Sequence, residues 1–214
     1  MFKKKPFFIV FEGVEGCGKS YQSKKLFNKL KRYKIKCILT REPGGTRSSE
    51  LIRNLILKDY FNKNTKDKFD KYTDTLLYLA ARNEHVINKI KPALLKKQVV
   101  ICDRFTDSTL AYQVYGKQVD IEFINNIHKK ILGKIKPNLV FILKVSAKSS
   151  KLRLKKRKSK NRYDNFAQSF YTKAQQSFLK IAKNKKNYFV LDSSSNDTAL
   201  EKKIFNIVKK YLNI

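Results

Sequence analysis

The chain has 214 residues, enough to bury one ample core, and no Gly/Pro/Ser-rich linker divides it, so a single domain spanning 1–214 is expected. Its formal charge is +32, which raises the possibility of a nucleic-acid binder. The 49 cations are 40 Lys and 9 Arg, spread along the chain and accompanied by 15 Phe and 11 Tyr; A/T-rich codons produce that balance, and no aromatic-basic cluster marks an RNA site, so no specific nucleic-acid partner is expected.

In chain order, Lys3 to Lys5 precede an apolar run too short for a signal-peptide core, and no stretch approaches membrane-spanning length. Neither export nor a membrane partner is expected, and a cytoplasmic location follows. Phe7 to Phe11 is continuously apolar and reads as a strand buried on both faces. A Gly-rich loop and a helical stretch, Lys19 to Leu30, come next. Between them Gly13-Val14-Glu15-Gly16-Cys17-Gly18-Lys19-Ser20 fits the phosphate-loop pattern G-x-x-x-x-G-K-[ST]. Glycines let backbone N–H groups wrap a phosphate, and the helix N-terminus adds positive potential. Lys19 reaches the outer phosphates, and the Ser20 hydroxyl can ligate Mg²⁺. The motif sits between strand and helix, as its chemistry requires, which identifies a nucleotide-phosphate site.

Cys37 to Thr40 is a short strand running into the turn Arg41-Glu42-Pro43-Gly44-Gly45-Thr46. Ser48 to Leu57 is helical, with Leu51, Ile52, Leu55 and Ile56 forming its apolar face. Lys58 to Lys71 is a polar loop or short helix. Thr73 to Leu95 is a long helical pattern that Pro92 is expected to bend. Val99 to Cys102 is another buried strand, ending in Asp103-Arg104. Helices are expected near Asp107 to Tyr115 and Ile121 to Leu132, then a strand at Leu139 to Val145 and helices at Ala147 to Arg157 and Ala167 to Ala182. Tyr188 to Leu191 and Ala199 to Leu212 close the chain as strand and helix. Cys17, Cys37 and Cys102 have neither metal nor disulfide spacing, so a reducing compartment is implied. Alternating strands and helices with short connections predict an α/β fold: a parallel sheet of about five strands, helices on both faces, and ligands at the carboxyl ends of the strands. The phosphate loop, Arg41-Glu42 and Asp103-Arg104 all fall at such ends and should converge.

The blocks GVEGCGKS, REPGGT, LLYLAARNEHVINKIKPAL, ICDRFTDSTLAYQ and NRYD recur in this order and spacing in bacterial thymidylate kinases, and the chain resembles that family from Phe7 to about Leu191. ICDRFTDSTLAYQ is the most specific block, because related nucleoside-monophosphate kinases share the phosphate loop but not this segment. The resemblance implies a P-loop NTPase-type fold, transfer of the γ-phosphoryl group of ATP to dTMP for dTTP synthesis, Mg²⁺ as cofactor, and a homodimer. It implies that Lys19 and Ser20 serve the ATP phosphates and the metal, with Asp103 the acidic group near the metal. Glu15 corresponds to the carboxylate near the sugar 3′-OH. Arg41, Arg53 and Arg104 align with basic residues around the acceptor phosphate, Tyr78 with the aromatic stacked on thymine, and Arg82 with the arginine that hydrogen-bonds the base. Ser108 belongs to the acceptor side, Tyr112 to the exclusion of a ribose 2′-OH, and Gln113 to the base. Arg153, Arg157 and Arg162 fall in or beside a lid over about 156–164, which in this subclass supplies catalytic arginine because the phosphate loop has none.

Taken on spacing alone, Tyr78 reads as a core aromatic, Arg82 as a solvated helix residue, and Asp103-Arg104 as either a strand-end ion pair or ligand groups. His85 and His128 are isolated and read as core or surface residues. Lys144 departs from the family, which commonly has Asp there, and the lid is unusually rich in lysine. Another nucleoside-monophosphate or deoxynucleoside kinase, or a basic P-loop ATPase acting on nucleic acid, remains the alternative reading.

Overall fold

The computed structural model describes residues 5–58, 68–156, 168–195 and 197–214. Its sheet has five parallel strands in the order β2-β3-β1-β4-β5: β1 (Phe7–Glu12), β2 (Cys37–Arg41), β3 (Val99–Asp103), β4 (Leu139–Lys144) and β5 (Tyr188–Asp192). The apolar run of β1 sits at the centre, where both faces are covered, and Phe8, Ile9, Val10 and Phe11 are buried. Phe8 meets Phe105 edge-on at 4.9 Å and Phe11 lies 5.1 Å from Phe141. Burying each such ring contributes roughly 1.5–3 kcal/mol, so the sheet centre is fixed where the phosphate loop leaves it.

Around the sheet lie α1 (Lys19–Arg32), α2 (Arg47–Leu57), α3 (Lys71–His85), α4 (Lys91–Leu95), α5 (Thr106–Thr109), α6 (Ile121–Leu132), α7 (Ala147–Lys155), α8 (Gln168–Ala182) and α9 (Thr198–Leu212). The expected bend at Pro92 takes a specific form. α3 continues through a π-helical turn, Val86–Ile90, before α4. There the Lys91 N–H bonds Val86 O, five residues back, which widens the turn next to a proline that cannot donate to the preceding carbonyls. A second π-helical turn, Leu110–Val114, follows α5 and carries Tyr112 and Gln113. The expected apolar face of α2 splits: Ile56 is buried, whereas Leu51 and Leu55 are 66% and 45% exposed.

The chain leaves β1 for β2 on one side and returns from β3 to β4 on the other. This reversal opens a crevice at the carboxyl ends of β1 and β3, the usual ligand position in open α/β sheets. The expected lid lies outside the described residues except for Lys156.

Candidate active site

One cavity of about 560 Å³ occupies that crevice. The phosphate loop forms its floor. Gly13 has φ +137°, and a Cβ there would lie 2.6 Å from Leu143 O; at Gly16 a Cβ would lie 2.8 Å from Ser150 O. Both positions therefore require glycine for the loop to lie flat between β4 and α7. Ser150 Oγ donates to Glu15 O at 2.8 Å, and Arg153 donates to Gly16 O at 3.0 Å and to the Ser193 and Ser194 carbonyls. Gly18 begins α1 with no side-chain cap, so the helix N-terminus is open toward the cavity. The buried Lys19 ammonium folds back onto the loop, donating to Gly13 O at 3.0 Å and Val14 O at 2.8 Å.

Ser20 Oγ donates to Asp103 Oδ2 across the mouth of the loop. The other oxygen, Asp103 Oδ1, is buried with no hydrogen-bond partner among the described residues. A hydroxyl and a carboxylate with an orphaned oxygen form an all-oxygen donor set of the kind Mg²⁺ takes together with phosphate and water.

A second wall of the cavity is built on the segment after β3. Arg104 has φ +73°, which turns its guanidinium back across the loop. It donates to Gly13 O at 3.0 Å, Ser108 Oγ at 3.0 Å and Glu15 Oε1 at 2.7 Å. Tyr112 OH donates to Glu15 Oε2 at 2.6 Å, while its ring packs on Phe170 and Phe178. Burial opposes the charge on Glu15, but Arg104 and Lys19 outweigh it and hold the carboxyl below its ordinary range. Arg41 reaches both oxygens of Glu50 at 3.1 Å, and Arg53 donates to Pro43 O at 2.6 Å. Both line the cavity. Burial, reinforced by the Arg41 charge, holds the Arg53 pKa below its ordinary value.

Tyr78 and Arg82 line the cavity one helical turn apart on α3. Arg82 is not solvated, being 3% exposed. Its Nε donates to Glu42 Oε2 at 2.7 Å, Nη1 to Thr109 Oγ1 at 2.6 Å and His128 Nε2 at 2.8 Å, and Nη2 to Phe105 O at 2.8 Å. Burial and the Arg82 charge push the His128 pKa down to about 3, so its ring is the neutral acceptor this contact needs. Glu42 also accepts from His85 Nδ1 at 3.0 Å, and His85 Nε2 lies 2.6 Å from Thr40 Oγ1. Burial would raise the Glu42 carboxyl, but Arg82 and His85 hold it low. Gln113 is buried at the same wall, and its Nε2 has no partner among the described residues.

The described residues Glu15, Gly16, Gly18, Lys19, Ser20, Arg41, Arg53, Tyr78, Arg82, Asp103, Arg104, Ser108, Tyr112, Gln113 and Arg153 all line this one cavity. Gly13, Val14 and Cys17 lie in the loop behind it. Arg157 and Arg162 lie outside the described residues. Sequence reasoning missed Glu12 and Thr109, brought Glu42 to the cleft without a partner, and gave His85 and His128 no place at the site. Glu12 could have been found, since a carboxylate closing a buried strand needs donors. His128 gave no local signal.

A family model for thymidylate kinase matches residues 11–204. The chain belongs to the thymidylate kinase family. It is 36% identical over 208 residues to the thymidylate kinase of Pelotomaculum thermopropionicum, covering 96% of this chain and 94% of that one. It is 40% identical over 209 residues to that of Aster yellows witches'-broom phytoplasma, with 96% of each covered. It is 43% identical over 180 residues to that of Wolbachia sp. subsp. Brugia malayi, covering 83% and 82%. The crystal structure of thymidylate kinase from Ehrlichia chaffeensis superposes with a TM-score of 0.74 at 30% identity, covering 95% of this chain and 99% of that one. The five-stranded P-loop fold is thus a thymidylate kinase fold.

Proposed function

We propose that this chain transfers the γ-phosphoryl group of ATP to dTMP, giving ADP and dTDP for dTTP synthesis, within this cavity. The observation that carries the reading is the lining: Arg41, Arg53, Arg82, Arg104 and Arg153 surround one space with Lys19. Phosphoryl transfer needs little covalent help; it needs two polyanions held in line while cations offset their repulsion. Two unit charges 4 Å apart repel by about 4 kcal/mol at an effective dielectric near 20, so several cations are the minimum equipment.

ATP lies on the phosphate loop, and Lys19 exchanges its two carbonyl contacts for phosphate oxygens. Ser20 and Asp103 hold Mg²⁺, which when bound neutralises phosphate charge. Arg41, Arg53 and Arg104 hold the acceptor phosphate, and Glu15 meets the sugar 3′-OH. Tyr78 stacks on thymine while Arg82 and Gln113 meet the polar edge of the base. Tyr112 bars a 2′-OH. Arg157 and Arg162 supply transition-state charge, while Arg153, at the base of the lid, braces the phosphate loop.

The whole chain acts as one domain, in the cytoplasm where both nucleotides are available; among the described residues no helix is long and apolar enough to cross a membrane. A homodimer is supported by apolar side chains left exposed on the packed pair α2 and α3, namely Leu51, Leu55, Tyr72 and Leu76. Light scattering tests this, and a monomer at micromolar concentration refutes it. A coupled assay with ATP and each nucleoside monophosphate tests the reaction. dTMP should have the highest kcat/KM; a preference for another acceptor, or DNA-stimulated ATP hydrolysis without dTMP turnover, refutes the reading.

A further inference from the structure

Glu12 ends β1 immediately before the phosphate loop and is fully buried. Its carboxylate makes no contact that the fold of β1 requires. Oε1 accepts from the backbone N–H groups of Phe105 at 2.8 Å and Ser108 at 3.2 Å, and Oε2 accepts from Ser108 Oγ at 2.6 Å. Phe105 is the residue that precedes α5, and Ser108 is the third residue of that helix. The residue opening that helix is Phe105, which has no side-chain cap to offer. Helix N-termini leave their first N–H groups without partners, and a capping box normally serves the opening residue and the third helical residue from within the helix. Here one carboxylate from a different element serves both. The preceding residues are fixed from the same strand, since the Arg104 N–H donates to Phe11 O at 2.9 Å.

The run that Glu12 caps, Thr106 to Val114 across α5 and its π-helical turn, carries much of the acceptor wall. Ser108 accepts from Arg104, Thr109 accepts from Arg82, Tyr112 donates to Glu15, and Gln113 faces the base side. We propose that Glu12 is a positioning residue: it sets the angle and depth of the acceptor wall relative to the phosphate loop, and so the alignment of dTMP with ATP. The inference rests on the acceptor reading above. Burial, with Asp107 beside it, pushes the Glu12 carboxyl up to about 7. A buried carboxyl with a raised pKa is a burden on the fold, and its placement between the two substrate-binding segments gives that burden a use.

Three variants test this against a role in folding alone, with KM for each substrate and kcat as readouts. Glu12→Leu removes all three contacts and is expected to raise KM for dTMP about tenfold or more while KM for ATP stays within about threefold. Glu12→Gln keeps an oxygen for the two backbone N–H groups and should return to within about threefold of the parent. Glu12→Asp withdraws the carboxylate by one methylene, and should raise KM for dTMP about fivefold even if Glu12→Leu fails to fold. Parallel rises in both KM values, an unmoved KM for dTMP in Glu12→Asp, or no recovery in Glu12→Gln overturns the proposal. Arg82→Lys is the control for the acceptor reading. If Arg82→Lys raises KM for dTMP and the Glu12 variants do not, only the positioning role falls; if neither does, the acceptor reading falls with it.

Discussion

Replacing Arg82 by Lys conserves charge and removes geometry. In the structure one guanidinium serves Glu42 after β2, Phe105 after β3, Thr109 on α5 and His128 on α6, all at 2.6–2.8 Å. An ammonium offers three donors from a single point and cannot reach acceptors in four directions, so at least two bonds are lost in a buried site. Each loss costs about 1–3 kcal/mol when the abandoned acceptor stays buried, giving about 2–6 kcal/mol together. For a chain of this length that corresponds to a fall in Tm of about 4–24 °C. On the proposed contact with the base, kcat/KM for dTMP should also fall at least about tenfold, ~1.4 kcal/mol of transition-state stabilisation. Thermal melts and the coupled assay measure both, with the exposed Arg32→Lys as a silent control. A Tm within about 2 °C of the parent and kcat/KM within about threefold would refute the claim that the fork of Arg82 organises the acceptor wall.

Lys19→Met should abolish transfer with the fold retained, because among the described residues Nζ hydrogen-bonds only loop carbonyls and the Cys17 sulfur; substantial turnover by the folded variant would remove the loop from the mechanism. For Tyr112, dUMP and UMP differ only at C2′, and dUMP should be favoured by about a hundredfold or more, with Tyr112→Ala erasing the preference and Tyr112→Phe keeping it. Equal efficiency for the pair in the parent enzyme would show that the ring does not bar the 2′-OH. Activity on dUMP itself should be measurable, since the thymine methyl is worth only about 1–3 kcal/mol in a pocket. Glu12 makes stability depend on pH. Its folded pKa of about 7 lies above the ordinary 4.5, so the folded state holds the extra proton between those values and stability falls as pH rises from 4.5 to 7. Glu12→Gln lacks this loss, and its Tm relative to the parent should be higher at pH 8 than at pH 5; a difference that does not change with pH would contradict the raised pKa.

What could be read in the sequence was local. The apolar run of β1, the loop after it and the Asp103-Arg104 pair after β3 each declare themselves within a few residues, and a parallel sheet then brings them together at one edge. The groups that hold the site rigid are distant in sequence: Arg82 is 40 residues from Glu42 and 46 from His128. No periodicity on α3 distinguishes an arginine facing solvent from one enclosed by four acceptors, so spacing alone favoured the wrong environment. The π-helical turns were hidden for a similar reason. Pro92 announces that helical bonding must fail nearby, but whether the chain kinks or widens depends on what packs against Val86 and Ile90, both buried against the core. Arg153 was grouped with the lid by its neighbours in sequence, yet its guanidinium grips Gly16 O and the carbonyls after β5. It therefore braces the phosphate loop from behind while lining the cavity.

The charge of +32 has the same two-level explanation. Among the described lining residues are five of the nine arginines but only one of the 40 lysines, Lys19, which the phosphate loop demands. Arg32 and Arg47 lie outside the cavity. If basic residues had been selected to bind a nucleic-acid backbone, lysine would be as useful as arginine and the two would be mixed wherever contact is made. Instead lysine is spread over the chain, and the arginines of the cavity persist where a planar fork meets carboxylate or carbonyl groups. Codon drift toward lysine, stopped where the fork is needed, produces that distribution. It follows that mixed-sequence duplex DNA should bind with Kd weaker than about 1 μM near physiological salt, without sequence preference and with affinity collapsing as salt rises. A sub-micromolar complex that survives high salt would show that the lysines form an organised surface, and the arginine pattern would then need a different cause.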